Sequence, residues 1–132
     1  MLSRIFWVGL GGMAGSVARY LLSAWLTKTL GPAFPFGTLA VNLIGSLLLG
    51  AIMAIALHTA ALSPGAQLGL TTGVMGGFTT YSTFNFETLR LLEDRAWALA
   101  GLYVGATLLG CLALGWLGWH GTAWLLGSRA AR

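Results

Sequence analysis

Charge is nearly missing from this sequence. Seven residues of 132 are Lys or Arg and three are Asp or Glu, far below the roughly one in four of a water-soluble domain. Cys111 stands alone, which excludes an intramolecular disulfide and a Cys-rich metal site. The three acids, Glu87, Glu93 and Asp94, provide no separated pair of carboxylates for acid–base chemistry. His58 and His120 fall in no HExxH pattern and in no Ser-His-Asp arrangement, so no enzyme signature is present. Gly11 to Ala18 is no nucleotide loop, because no strand precedes it and no Lys follows. A net charge of +4 is no sign of nucleic-acid binding either, since the basic residues are scattered singly rather than clustered.

What remains is apolar. Hydrophobic residues make up 57% of the chain, and the mean hydropathy is +0.82. A helix needs about 20 apolar residues to cross a bilayer core, and four stretches qualify, at about residues 5–26, 37–58, 66–92 and 96–126. Gly31-Pro32 and Pro35 break the first connection, Ser63-Pro64-Gly65 the second, and the charged group Glu93-Asp94-Arg95 the third. The first stretch is too long for a signal peptide and lacks a nearby small-x-small cleavage site. The expectation is one all-α transmembrane domain over residues 1–132, too small to enclose a wide pore alone and therefore oligomeric.

Each span departs from plain Leu, Ile and Val. The first carries Gly9, Gly11, Gly12, Gly15 and Ser16, a face of small residues that lets helices approach closely. It also carries Arg19, which either snorkels to the interface or stands in a water-filled vestibule that attracts anions. The second places Thr38, Asn42 and Ser46 four apart on one stripe, either a hydrogen-bonding ridge or one side of a pore. The fourth repeats the pattern with Tyr103, Thr107 and Cys111. Alone this reads as packing; opposed to the Asn42 stripe, it forms the second wall of a polar track.

The third span holds the main signal. Gly76-Gly77-Phe78-Thr79-Thr80-Tyr81-Ser82-Thr83-Phe84-Asn85 concentrates two glycines, five hydroxyls and an amide at mid-membrane depth. A lipid-facing helix gains nothing from that composition, whereas a helix break is tolerated where it is buried in protein or lines water. The spacing predicts non-helical backbone over 76–79, with free carbonyls for a cation and free amides for an anion. Glu87 follows, the only acid within a span.

The segments Gly11 to Tyr20, Gly37 to Gly45 and Gly73 to Phe84, and above all Gly-Gly-x-Thr-Thr-x-Ser-Thr-Phe, resemble the Fluc (CrcB-type) fluoride channels. The resemblance implies a dual-topology antiparallel homodimer in a bacterial inner membrane, with two pores between the subunits that export fluoride passively. It implies pore lining by Asn42, Tyr81, Phe84, Ser82, Thr83, Thr38, Glu87, Tyr103 and Thr107, with Arg19 in the vestibule. It also implies a structural sodium ion at the dimer centre, held by the carbonyls of Gly76 and Thr79. Tyr81 departs from the Phe of the familiar pattern and adds a hydroxyl to the ring. The alternative is a small four-helix proton-coupled transporter, in which Glu87 would carry the proton.

Charge placement bears on orientation. With four spans, Arg4, Arg129 and Arg132 fall on one side of the membrane, and Lys28, Arg90 and Arg95 on the other. Excess Lys and Arg on the cytoplasmic side sets topology, so a balance of three against three predicts insertion in both orientations.

Overall fold

The computed structural model describes residues 1–130 and is all-helical. Of the charges counted above, Arg132 and the side chain of Arg129 lie outside the described residues. Helix α1 spans Leu2–Leu30 and α2 spans Phe36–His58. The third helical region, α3, runs through three consecutive stretches: an α-turn at Pro64–Leu68, a π-helical stretch at Gly69–Met75 and a last α-turn at Gly76–Phe78. Helix α4 covers Tyr81–Glu93, and α5 covers Trp97–Ala130. Among the described residues three helices are long and apolar enough to cross a membrane, α1, α2 and α5. The stretch expected as a third span is divided, and neither of its halves is long enough to cross alone.

Local chemistry sets the boundaries. Gly31 ends α1 with φ 82°, a value that only glycine adopts freely, and its amide donates to the Thr27 carbonyl at 3.0 Å. Pro32 and Pro35 then keep the connection out of helix, and it bends until the Phe36 amide donates to the Phe34 carbonyl at 2.8 Å and α2 begins. Ser63 caps α3 by accepting the Ala66 amide at 3.3 Å, with Pro64 at the first helical position, where its missing N–H is no loss. Helix α4 ends at Asp94, and Arg95 turns the chain with φ 56°.

Small residues hold the helices together. Helices α2 and α5 pack along their length, with Gly50 facing the backbone of Gly115 and Trp119, and Gly118 facing the backbone of Leu47 and Ala51. The glycine face of α1 serves the same purpose against α3. A Cβ at Gly11 or Gly15 would run into the backbone of Gly69 or Val74, and Gly73 and Gly77 face α1 in return. The close approach brings van der Waals contact between backbones, the main attraction between helices where lipid removes the hydrophobic drive. The widened π-helical turn, a geometry found mostly at functional sites, had no counterpart in the sequence reading.

The break differs from its predicted position. Residues Gly76–Phe78 are helical, Gly76 has φ −64° and ψ −35°, and the Thr79 amide still donates to the Met75 carbonyl at 3.0 Å. The chain leaves the helix at Thr79 (φ −86°, ψ 158°) and Thr80 (φ −152°, ψ 121°). Only the second glycine serves the crossing with α1: Gly77 lies against Gly12, whereas a Cβ on Gly76 would meet nothing within 4 Å. The interruption falls on the two threonines, the first of which sends its hydroxyl to the Met75 carbonyl at 2.9 Å.

Candidate functional site

Asn42, buried on α2, holds the break open. Its Nδ2 donates to the Thr80 carbonyl at 3.0 Å, and its Oδ1 accepts the Thr80 amide at 2.8 Å. One amide side chain therefore replaces both backbone partners of Thr80. An Asn has two N–H donors, so one remains after this clamp, and Asn42 borders the central cavity.

The diverted bonds leave specific carbonyls free. In an unbroken helix the Gly76 carbonyl accepts from the residue 80 amide and the Thr79 carbonyl from the residue 83 amide. Here the Thr80 amide goes to Asn42, and the Thr83 amide goes to the Thr80 hydroxyl at 3.3 Å. The Gly76 and Thr79 carbonyls are thus two of those at the interruption that lose their helical donors. Thr80 caps α4 and its hydroxyl also lies 3.1 Å from that of Thr83 and 3.3 Å from that of Ser82.

The opposed stripes meet as expected. A cavity of about 400 Å³ opens at the break, lined by Asn42, Ser46, Tyr81, Phe84, Thr107 and Cys111 among others. Thr107 is 6% exposed, and its hydroxyl has no hydrogen-bond partner, alone in this among the buried side-chain polar atoms described. Buried polar groups are ordinarily paired, so this donor is available to whatever enters the cavity. Next to it Phe84 is buried, with its ring 5.1 Å from that of Tyr103 and 5.7 Å from that of Tyr81.

Beyond Phe84 three polar side chains converge. Thr38 donates to Glu87 Oε1 at 2.9 Å, and the fully buried Tyr103 donates to Oε2 at 2.6 Å. Both carboxyl oxygens are therefore engaged from the protein interior. On its outer side Glu87 borders a second cavity of about 400 Å³, the mouth, which Pro32, Pro35, Arg90 and Asp94 also line. Phe84 on the lining of the central cavity thus contacts Tyr103, which bonds Glu87 on the lining of the mouth beside the first loop.

Not every expected residue is drawn in. Tyr81 lines the central cavity but is 75% exposed. Ser82 and Thr83 are exposed and engage only Thr80. Arg19 is half-buried on α1 and lines neither cavity. Two contributors had no role in the sequence reading. Thr80 carries the Asn42 clamp, and its signal was a Thr three residues before a second Thr at a helix start. Phe34, in the first loop, stacks on Tyr103; one aromatic between two prolines gave no pointer to a partner about 70 residues away.

A divided helix held open by an amide, a track of hydroxyls and a cavity with an unpaired donor together define a membrane protein that passes a small polar solute or ion. Comparison with known proteins makes the class specific. The family described as CrcB-like protein, Camphor Resistance (CrcB), matches residues 6–119. The chain is 57% identical over 117 residues to the fluoride-specific ion channel FluC of Sorangium cellulosum, an alignment that covers 89% of this chain and 92% of that one. It is 51% identical over 126 residues to the protein of the same name from Anaeromyxobacter dehalogenans, covering 96% and 100%. A third, from Geotalea daltonii, is 46% identical over 114 residues, covering 86% and 92%. The chain belongs to the CrcB-like family.

Proposed function

We propose that this chain is a fluoride-selective channel that exports the ion passively, in a cell inner membrane, and is not an enzyme. The observation that carries the reading is the unpaired, buried Thr107 hydroxyl beside Phe84 and Asn42, in a chain whose relatives bear the name of fluoride-specific channels. Fluoride is small and tightly hydrated, so a passage must replace its water with close donors. The Thr107 hydroxyl and the remaining Asn42 N–H supply them, and the positive ring edge of Phe84 meets the anion where donors are sparse. The Thr38 and Tyr103 hydroxyls are the next donors along the track once they turn from Glu87.

The working unit in this reading is an antiparallel homodimer, with α3 and α4 together forming the fourth crossing. Support comes from what the single chain leaves uncovered: Tyr81, Ser82, Thr83 and Asn85 are exposed along α4. Polar side chains are rare against lipid and sit instead against protein or water, so this face needs a second copy over it. The exposed Ser82 and Thr83 then line the passages between subunits, and Arg19 stands at the vestibule. The balanced Lys and Arg tally supports dual topology. Reporters active on opposite sides of the membrane, fused to the C-terminus, test it: signal from one reporter only contradicts the antiparallel pair.

The donor set at the break fits a structural sodium ion. Hard cations take oxygen ligands, and the Gly76 and Thr79 carbonyls of each copy would hold the ion at the dimer centre. Bound there it supplies a fixed positive charge that ties the two breaks together.

Thr107→Val probes the pore reading with a side chain of nearly the same shape. No protein group pairs with this hydroxyl, so its loss leaves nothing unsatisfied, and stability stays equal or rises slightly. Fluoride flux falls by about tenfold, the equivalent of one lost hydrogen bond to a charged ligand. Thermal melting and flux of the same preparation check both halves. Voltage alone separates channel from transporter: fluoride moves through a channel with equal pH on both sides, whereas a transporter coupled to protons through Glu87 needs the proton gradient.

A further inference from the structure

The first loop packs one half-buried aromatic ring against the core. Gly31 to Pro35 crosses from α1 to α2, and within it Pro32, Ala33 and Pro35 line the mouth while Phe34 turns inward. Its ring centroid lies 5.5 Å from that of Tyr103 at 79°, an edge-to-face pair, and 4.9 Å from that of Phe36. On its other side Tyr103 meets Phe84, 5.1 Å away. The Tyr103 ring is thus held between a loop aromatic and a pore aromatic, and its hydroxyl reaches Glu87 Oε2 at 2.6 Å. At its other end the phenol is held at Glu87, whose second carboxyl oxygen accepts from Thr38.

We infer that Phe34 is a positioning residue for conduction, a loop-borne ring that fixes the orientation of the Tyr103 hydroxyl between Phe84 and Glu87. Aromatic pairs favour edge-to-face contact because the positive ring edge meets the negative face, so Phe34 restricts both the tilt and the lateral position of Tyr103. An aliphatic residue would fill the volume without imposing an orientation. Fluoride selectivity depends on donors placed at close range, so an unaimed hydroxyl admits water and larger anions. Pro32 and Pro35, with φ fixed by their rings, give the loop the stiffness to hold the ring in place.

The inference rests on the fluoride-channel reading, and the test keeps the two apart. Purified wild-type, Phe34→Leu and Phe34→Tyr proteins are reconstituted in liposomes, and efflux of fluoride and of chloride is recorded with ion-selective electrodes. Dimer content and melting temperature are measured on the same samples. Wild-type vesicles that release no fluoride would refute the channel reading itself. Given wild-type flux, Phe34→Leu should assemble and melt as wild type does, yet lose about two- to tenfold of its fluoride flux, the range an aromatic pair commands beyond its buried area, and its chloride leak should rise. Phe34→Tyr keeps the ring and should stay within about twofold of wild type on both counts. Phe34→Leu flux and selectivity equal to wild type would overturn the role. A Phe34→Tyr protein as impaired as Phe34→Leu would overturn it too, as would a flux loss that only tracks loss of dimer or of melting temperature.

Discussion

Asn42→Ala abolishes measurable fluoride conduction, lowering flux by about a hundredfold or more, while the protein still inserts. The side chain removed is the one that bonds both the amide and the carbonyl of Thr80. Truncation leaves two buried backbone groups unpaired at a cost of about 1–3 kcal/mol each. The chain has one nearby way to recover these bonds: the Thr80 amide returns to the Gly76 carbonyl and the helix closes across the break. Closure removes the carbonyls assigned to the cation and shifts Phe84, one turn further on, out of the track. With 1.4 kcal/mol per tenfold in an equilibrium, the lost bonds correspond to about two orders of magnitude or more. Wild-type flux from a folded Asn42→Ala protein would show that the clamp has no part in conduction.

Gly15→Ala should prevent assembly. A Cβ at position 15 would collide with the Val74 carbonyl and press on the Phe78 amide, and backbone on both sides of the crossing cannot rotate away as a side chain can. Overpacking of a tight core costs about 1–3 kcal/mol and more where backbone must shift, and here it would separate α1 from the helix that leads into the break. Gly9→Ala is the matched control on the same helix, since a Cβ there meets nothing within 4 Å. The expected result is normal yield and melting for Gly9→Ala, with little or no monodisperse protein for Gly15→Ala. Equal behaviour of the two would mean that the glycine face of α1 is not the crossing surface.

The parts of the molecule that were legible in the sequence share a physical cause. Apolar length marked α1, α2 and α5, because the bilayer imposes it directly on composition. The stripes Thr38/Asn42/Ser46 and Tyr103/Thr107/Cys111 were legible because helical periodicity fixes which residues share a face, and Asn42, Ser46, Thr107 and Cys111 do meet around one cavity. The clustered hydroxyls and glycines near residue 80 announced a break, since such residues have no reason to face lipid.

Where the reading failed, the deciding contact was not local. Gly76-Gly77 looked like the flexible point, but both residues are helical, and Gly77 answers to α1, against which it packs at Gly12. The break moved to Thr79 and Thr80 because Asn42, 38 residues earlier, captures the Thr80 backbone. Phe34 and the π-helical stretch escaped for the same reason. Ring stacking across about 70 positions and helix widening at a crossing depend on neighbours that one stretch of sequence does not reveal. Glu87 was read as pore lining, but the structure adds that both its oxygens are held by Thr38 and Tyr103, a three-way contact from three helices.

The central claim is that this track conducts fluoride and discriminates against chloride, and parallel efflux is its most direct test. Purified protein is reconstituted into liposomes loaded with potassium fluoride and potassium chloride, the membrane is made permeable to potassium alone, and both anions are followed in the external solution. The expected result is rapid fluoride release with equal pH on both sides and chloride retained until detergent opens the vesicles. Release of the two anions together, or fluoride release that appears only when a proton gradient is applied, would contradict it.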